Sequence, residues 1–244
     1  MLYRIAKRGL DIVGASLAIL VFLPFGLVIA LVLRLTGEGE IFYRQTRFGH
    51  RRQQFGLYKF VTMRKDSPKS GTITLKNDPR VLPVGRFLRK AKLNEVPQML
   101  NVLLGDMSLV GWRPLPQEVF DFYPPELQEK LARLRPGLTG IGSIVFRDEE
   151  SLLADVLPEE VQSAYRVRIS PYKGALERWY VDHAGLWLDV KLILLTAWVV
   201  LFPQSRLHER LLPSLPPRPP NPEGVGGDNP HDAPSEESPS SSSR

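Results

Sequence analysis

Residues 92–100 read KLNEVPQML, with one carboxylate, Glu95, directly after an amide, Asn94. Arg89 and Lys90 lie just upstream, and Lys59, Arg80, Arg86, Lys92, Asp106 and Arg113 stand in the flanking sequence. Carboxylate oxygens can hold a hard divalent cation, and guanidinium or ammonium groups can neutralise the non-bridging oxygens of a diphosphate, so this set reads as phosphate-handling chemistry. Each of these cations has a plain alternative as a solvated surface charge. The Asn-Glu pair has one too: an Asn cap followed by a first-turn Glu that the helix dipole favours. The four histidines (His50, His183, His208 and His231) lack metal-ligand spacing, and the chain has no cysteine. Disulfides and cysteine-held zinc or iron–sulfur centres are thereby excluded, and a metal here would be a hard one bound through oxygen.

The elements that must position these groups follow from pattern. Residues 41–48 (IFYRQTRF) and 55–63 (FGLYKFVTM) alternate aromatic and β-branched residues with polar ones and predict short strands. Residues 64–83 are rich in Ser, Pro, Lys, Gly, Asn and Asp and predict a long surface loop. Val84–Lys90 predicts a short basic helix, and Asn94–Leu104 a second one, with Asn94 as candidate N-cap and Pro97 in the first turn. Residues 121–135 predict a turn and an amphipathic helix, and Val156–Tyr172 another helical stretch, neither with assigned chemistry.

The chain of 244 residues, 43% apolar and 24% charged, suffices for one domain with accessories. Ile12–Leu33 runs 22 residues without a charge, about 33 Å as a helix, which is long enough to cross a bilayer and too long for a signal-peptide core. Pro24 near its middle removes a backbone donor and predicts a kink or break. Both flanks are basic, with Arg4, Lys7 and Arg8 before it and Arg34, Arg44, Arg47, Arg51 and Arg52 after it. The positive-inside rule is then satisfied with both ends cytoplasmic, a re-entrant hairpin; a kinked single-pass anchor is the alternative. Asp11 would be costly in lipid unless paired, and Arg8 is its expected partner. Leu186–Phe202 is too short to span and reads as an interfacial helix, or else a core helix. From Pro203 to the end, the Pro-, Gly- and Ser-rich composition predicts a disordered tail. A net charge of +6 suits an anionic partner. The basic residues are not gathered on a recognition helix and no nucleic-acid motif is visible, so nucleic-acid binding is not expected.

Several ordered motifs carry a resemblance: Lys7-Arg8-x-x-Asp11, the apolar segment with Pro24, FYRQTRFG (42–49), NDPRV (77–81), VGRFLRKAKLNEVPQMLNVLLGDMSLVGWRP (84–114), RPGLTGIGSI (135–144) and WYVDHAGLWLDVKLILLT (179–196). From about Lys7 to Thr196 the chain resembles the bacterial sugar transferase family of monotopic phosphoglycosyl transferases. The resemblance implies transfer of a sugar phosphate from a UDP-sugar to polyprenyl (undecaprenyl) phosphate with release of UMP, and Mg2+ as cofactor. It also implies a re-entrant helix broken at Pro24, with Arg8 and Asp11 at the membrane edge near lipid headgroups. The expected architecture is a helix-rich α/β monotopic protein: membrane helix 1–36, cytosolic and interfacial transferase domain 37–202, and tail 203–244. The expected place is the cytoplasmic face of the bacterial inner membrane, with polysaccharide-assembly proteins as further partners.

The family's catalytic pair is Asp-Glu, and the match puts that Asp at Asn94 and the Glu at Glu95, which is also the implied Mg2+ ligand. In the family the Asp attacks the sugar-proximal phosphate; an amide is a poor nucleophile for this step. Three readings follow. Glu95 serves as nucleophile, or polyprenyl phosphate attacks the diphosphate directly, with Asn94 orienting a phosphate. Alternatively, Asp106 takes over the nucleophilic role. In the third reading the chemistry is lost and the chain is a membrane-bound binding or scaffolding relative. Two further departures are Val61, where the family commonly has Arg, and Trp112, where it has Pro; Trp112 either stacks on a base or packs in the core. Arg113 falls in the segment the match assigns to nucleotide binding, and Lys59, Arg80 and Arg89 are the best phosphate ligands.

Overall fold

The computed structural model describes residues 2–36, 39–65, 67, 78–147, 149, 151–153, 156–157 and 159–218. Most of the expected surface loop and residues 219–244 lie outside the described residues. The apolar run sits in one helix, α1 (Leu2–Thr36), which continues through Pro24 without interruption and, at 35 residues, is about 52 Å long. It is the one described helix long and apolar enough to cross a membrane. A hairpin follows, β1 (Phe42–Phe48) and β2 (Gln54–Phe60), paired antiparallel so that Arg47 faces Phe55 and Tyr43 faces Lys59. Then come α2 (Pro83–Lys90), α3 (Gln98–Leu104), β3 (Ser108–Val110), α4 (Gln117–Phe120), α5 (Pro125–Ala132), β4 (Gly137–Thr139) and α6 (Ile141–Val145). After α7 (Val161–Ala164) a π turn (Tyr165–Ile169) leads into α8 (Ser170–His183), α9 (Leu186–Leu201) and α10 (Leu207–Leu211).

The short parallel pair β3–β4 is built on close backbone approach. A Cβ added at Gly137 would fall 2.1 Å from the Gly111 nitrogen, so only glycine lets the chain entering Trp112 and Arg113 lie against the RPGLTG segment. The main core joins Ala15 of α1, Leu57, Val102, Met107, Val110, Ile141, Leu176 and Leu192. A second cluster centres on Trp112, Phe120, Leu131 and Tyr165. Trp112 is buried and its indole N–H donates to the Leu134 carbonyl at 3.3 Å, so it packs and does not stack on a ligand.

Three expectations are modified by the structure. Asn94 caps no helix: Leu93–Glu95 is a tight 3-10 turn entered through Lys92 in the left-handed region (φ 57°), and α3 starts only at Gln98, after Pro97. Arg8 and Asp11 do not pair with each other. Asp11 is buried, accepting from Ser108 Oγ (2.8 Å) and the Leu109 N–H (2.9 Å), while Arg8 donates to the last carbonyls of α3, Val102 (2.6 Å) and Leu103 (2.8 Å). The segment expected to be a tail from 203 folds at first: α10 forms, Leu212 enters the main core, and Tyr172 donates to the Pro216 carbonyl at 3.1 Å.

Candidate active site

A cavity of about 2640 Å³ is lined by Lys59, Arg80, Arg89, Asn94, Glu95 and Arg113, among others. The chain thus brings together residues from β2, α2, the 93–95 turn and the segment after β3. Arg113 grips Glu95 through both guanidinium nitrogens, at 2.6 Å to Oε1 and 3.5 Å to Oε2. Burial alone would raise the Glu95 carboxyl, but Arg113, Lys59 and Lys92 together outweigh it and hold it down at about 2. Glu95 is therefore an anion at neutral pH. Asn94 beside it is buried, and its Oδ1 has no hydrogen-bond partner.

Lys59 shows the opposite balance. Burial, reinforced by Arg47, Arg113 and Arg89 against the pull of Glu95, brings its ammonium down to about 7. Arg80 is held by Asp78, its Nη2 at 2.6 Å and its Nε at 2.9 Å from the carboxylate, so its charge is already partly neutralised. Asp106 accepts from Asn101 Nδ2 at 3.2 Å, beyond the far end of α3, and does not line the cavity. Pro24 lies in the part of α1 distant from Glu95 in sequence and likewise does not line it.

Several residues of the site carry no clear single-residue signal in the sequence. Arg47 is buried, its Nε has no hydrogen-bond partner, and burial beside Arg113 brings it down to about 10. The strand alternation contains the hint: Tyr43, Gln45 and Arg47 are every second residue of β1, and all three line the cavity. Behind Arg113 lies a second buried ionic group. The Lys173 ammonium binds Glu149 and donates to the Tyr165 hydroxyl at 2.9 Å, and Lys173, Glu149 and Tyr165 also line the cavity. Glu177 Oε1 accepts the Arg113 backbone N–H at 3.4 Å, while its Oε2 has no partner. Burial pushes this carboxyl up to about 7 despite that N–H, Lys173 and Arg113.

As a chemical device the arrangement is a chamber rich in cations, in which the carboxylates Asp78, Glu95 and Glu149 are each held by a basic side chain. Such a wall suits a polyanion.

A family model for bacterial sugar transferases matches residues 2–203. The chain belongs to this family. It is 38% identical over 194 residues to the UDP-glucose:undecaprenyl-phosphate glucose-1-phosphate transferase of Caulobacter vibrioides, covering 78% of this chain and 67% of that one. It is 33% identical over 207 residues to the exopolysaccharide production protein ExoY of Rhizobium meliloti, covering 78% and 83%. The UDP-N-acetylgalactosamine-undecaprenyl-phosphate N-acetylgalactosaminephosphotransferase of Aeromonas hydrophila is 32% identical over 203 residues, but the match covers only 44% of that longer protein.

Proposed function

We propose that this sugar transferase moves a sugar phosphate from a UDP-sugar to polyprenyl phosphate, releasing UMP, as the first membrane step in building an exopolysaccharide, capsule or lipopolysaccharide repeat. The observation that carries the reading is the Glu95–Arg113 pair in a cavity walled by Lys59, Arg47 and Arg89. The donor's diphosphate competes for Arg113, and Lys59 and Arg47 neutralise the charge that accumulates on the leaving phosphate. With an amide at position 94, the transfer proceeds by direct displacement. An oxygen of polyprenyl phosphate forms a bond to the sugar-bearing phosphorus, the bond from that phosphorus to the bridging oxygen breaks, and its electron pair leaves with UMP.

The partnerless Asn94 Oδ1 and the Glu95 carboxylate are oxygen donors that fit a magnesium ion taking its remaining ligands from phosphates and water. When bound, such an ion supplies charge neutralisation at the phosphates.

The membrane placement rests on the two ends of α1. Asp11 and Ala15 near one end and Leu33 near the other are all buried against the same folded body. Leu20, Val21, Phe25 and Val28 between them are exposed. Two ends on one body, each with basic flanks, support a re-entrant helix at the cytoplasmic face over a single crossing. Exposed Trp187, Leu194 and Leu201 of α9 suit the same interface.

The test is UMP release by the detergent-solubilised protein with Mg2+ and a panel of UDP-sugars. Release is expected only when polyprenyl phosphate is present, and Glu95→Ala is expected to lower it about 100-fold or more. A sugar-phosphate adduct on Glu95 from donor alone would replace direct displacement with a covalent route. Turnover seen only in Asn94→Asp would overturn the activity itself.

A further inference from the structure

A second cavity, of about 420 Å³, shares no lining residue with the Glu95 cavity. Its walls are Arg4 from the start of α1, His50, Arg51 and Arg52 from the β1–β2 turn, and Glu129, Ala132 and Arg133 from the end of α5. Four arginines and one glutamate thus line the same concavity. Among the described residues none of the four arginines forms an ion pair. Burial, then Arg135, Arg51 and Arg4, lower the His50 imidazole.

The backbone supplies an independent observation. Arg51 and Arg52 are consecutive residues in the left-handed region, at φ 57° and 58°. Hairpin turns that need positive φ ordinarily use Asn or Gly, and two arginines there combine backbone strain with mutual repulsion. Strain of this kind is held at ligand clamps.

The position of the pocket narrows the ligand. Arg4 stands between Leu2 and Ile5, which are 82% and 61% exposed, about two turns before the apolar run of α1. Lys7, Arg8 and Asp11 at the same level are spent inside the fold on Asp189, the α3 carbonyls and β3. The pocket's arginines, with Arg135 beside them, are thus cations near this end of α1 that the fold, among the described residues, does not pair with a carboxylate.

We propose that the Arg4–Arg51–Arg52–Arg133 pocket binds the phosphate of an anionic phospholipid headgroup, at a site separate from the one that takes the acceptor lipid. The proposal rests on the membrane placement of α1 argued above and is independent of the transfer reaction. Headgroup phosphate here docks the tip of the hairpin whose other residues, Arg47 and Lys59, line the Glu95 cavity.

The experiment titrates the full-length protein in uncharged detergent, by calorimetry, with short-chain dihexanoyl phosphatidylglycerol, dihexanoyl phosphatidylcholine and inorganic phosphate. Phosphatidylglycerol is expected to bind about tenfold or more tightly than the other two. The Arg51→Gly/Arg52→Gly variant is expected to bind it about thirtyfold more weakly, from two lost surface arginines, while its Tm rises because glycine relieves the positive φ. Arg133→Gln, which leaves the turn intact, is expected to weaken binding as well. Equal affinity in wild type and both variants overturns the site. Inorganic phosphate binding as tightly as phosphatidylglycerol overturns the lipid assignment in favour of a free anion. Flotation with pure phosphatidylcholine vesicles tests the placement of α1 alone, and UMP release tests the transfer alone, so failure of either is distinguishable from failure of the pocket.

Discussion

Lys59 is a buried cation whose charge depends on what occupies the cavity. Its ordinary value is near 10.5 and its folded value about 7, so between these the folded chain is neutral at this group while the unfolded chain is protonated. Stability from this group therefore rises with pH through that window and is lowest below pH 7. A diphosphate beside it restores the charge, so binding of UDP at pH 8 is expected to take up about one proton. Calorimetry in buffers of different ionisation enthalpy reads this uptake, and Lys59→Arg is expected to abolish it. Glu177 runs in the opposite sense. Between its ordinary value near 4.5 and about 7 the folded chain holds a proton that the unfolded chain does not, so its stability contribution is full at low pH and is lost as pH rises through 7. Glu177→Gln keeps an acceptor for the Arg113 N–H and is expected to stabilise the protein at pH 8 by about 1–3 kcal/mol, with little change at pH 5. Urea unfolding at the two pH values measures it. At this scale the sequence exposed Glu95 and its cationic neighbourhood, because local clustering survives folding. It concealed Glu177, since a lone Glu on a helix reads as solvated until the backbone N–H of a residue 64 positions away is placed against it.

At the scale of elements, α1 behaves as a fitted part of the fold. Arg8 satisfies the terminal carbonyls of α3, Lys7 binds the buried Asp189 at 2.7 Å and the Val110 carbonyl at 2.9 Å, and Asp11 closes the start of β3. Asp11→Ala leaves the Ser108 hydroxyl and Leu109 N–H buried without that acceptor and is expected to cost about 2–3 kcal/mol. Asp11→Asn, which retains one acceptor oxygen, is expected to cost less; thermal unfolding in detergent ranks the two. The limits of α2 and of the hairpin were legible because Pro, Gly and the period-two alternation mark them. The start of α3 was not, because Asn94-Glu95 has the composition of a cap while Pro97 delays the regular helix by a turn. The partners of Arg8 and Asp11 were also hidden, since i,i+3 spacing favours a local pair, while the carbonyls that Arg8 donates to and the donors that Asp11 accepts from lie more than 90 residues away.

At the scale of the whole molecule, one hairpin contributes residues to both cavities described above, and the larger extends to Arg206, Leu212 and Pro216 from the segment that composition marked as tail. Composition averaged over 42 residues hid the apolar Leu207, Leu212 and Leu215, which pack on the main core. The two ends of α1 have a practical consequence. A chain begun at residue 39 would not be a catalytic body released from its tether, because the body is unfinished without the helix. Asp189 would lose its ammonium, two helix-end carbonyls and the Leu109 N–H would lose their partners, and Leu33 would no longer close the cluster with Phe60 and Leu88. Such a fragment is expected to aggregate even with detergent present, where the intact chain elutes as a single species on size exclusion. Solubility in this protein is not expected to be recovered by deletion; the long apolar helix is also its keystone.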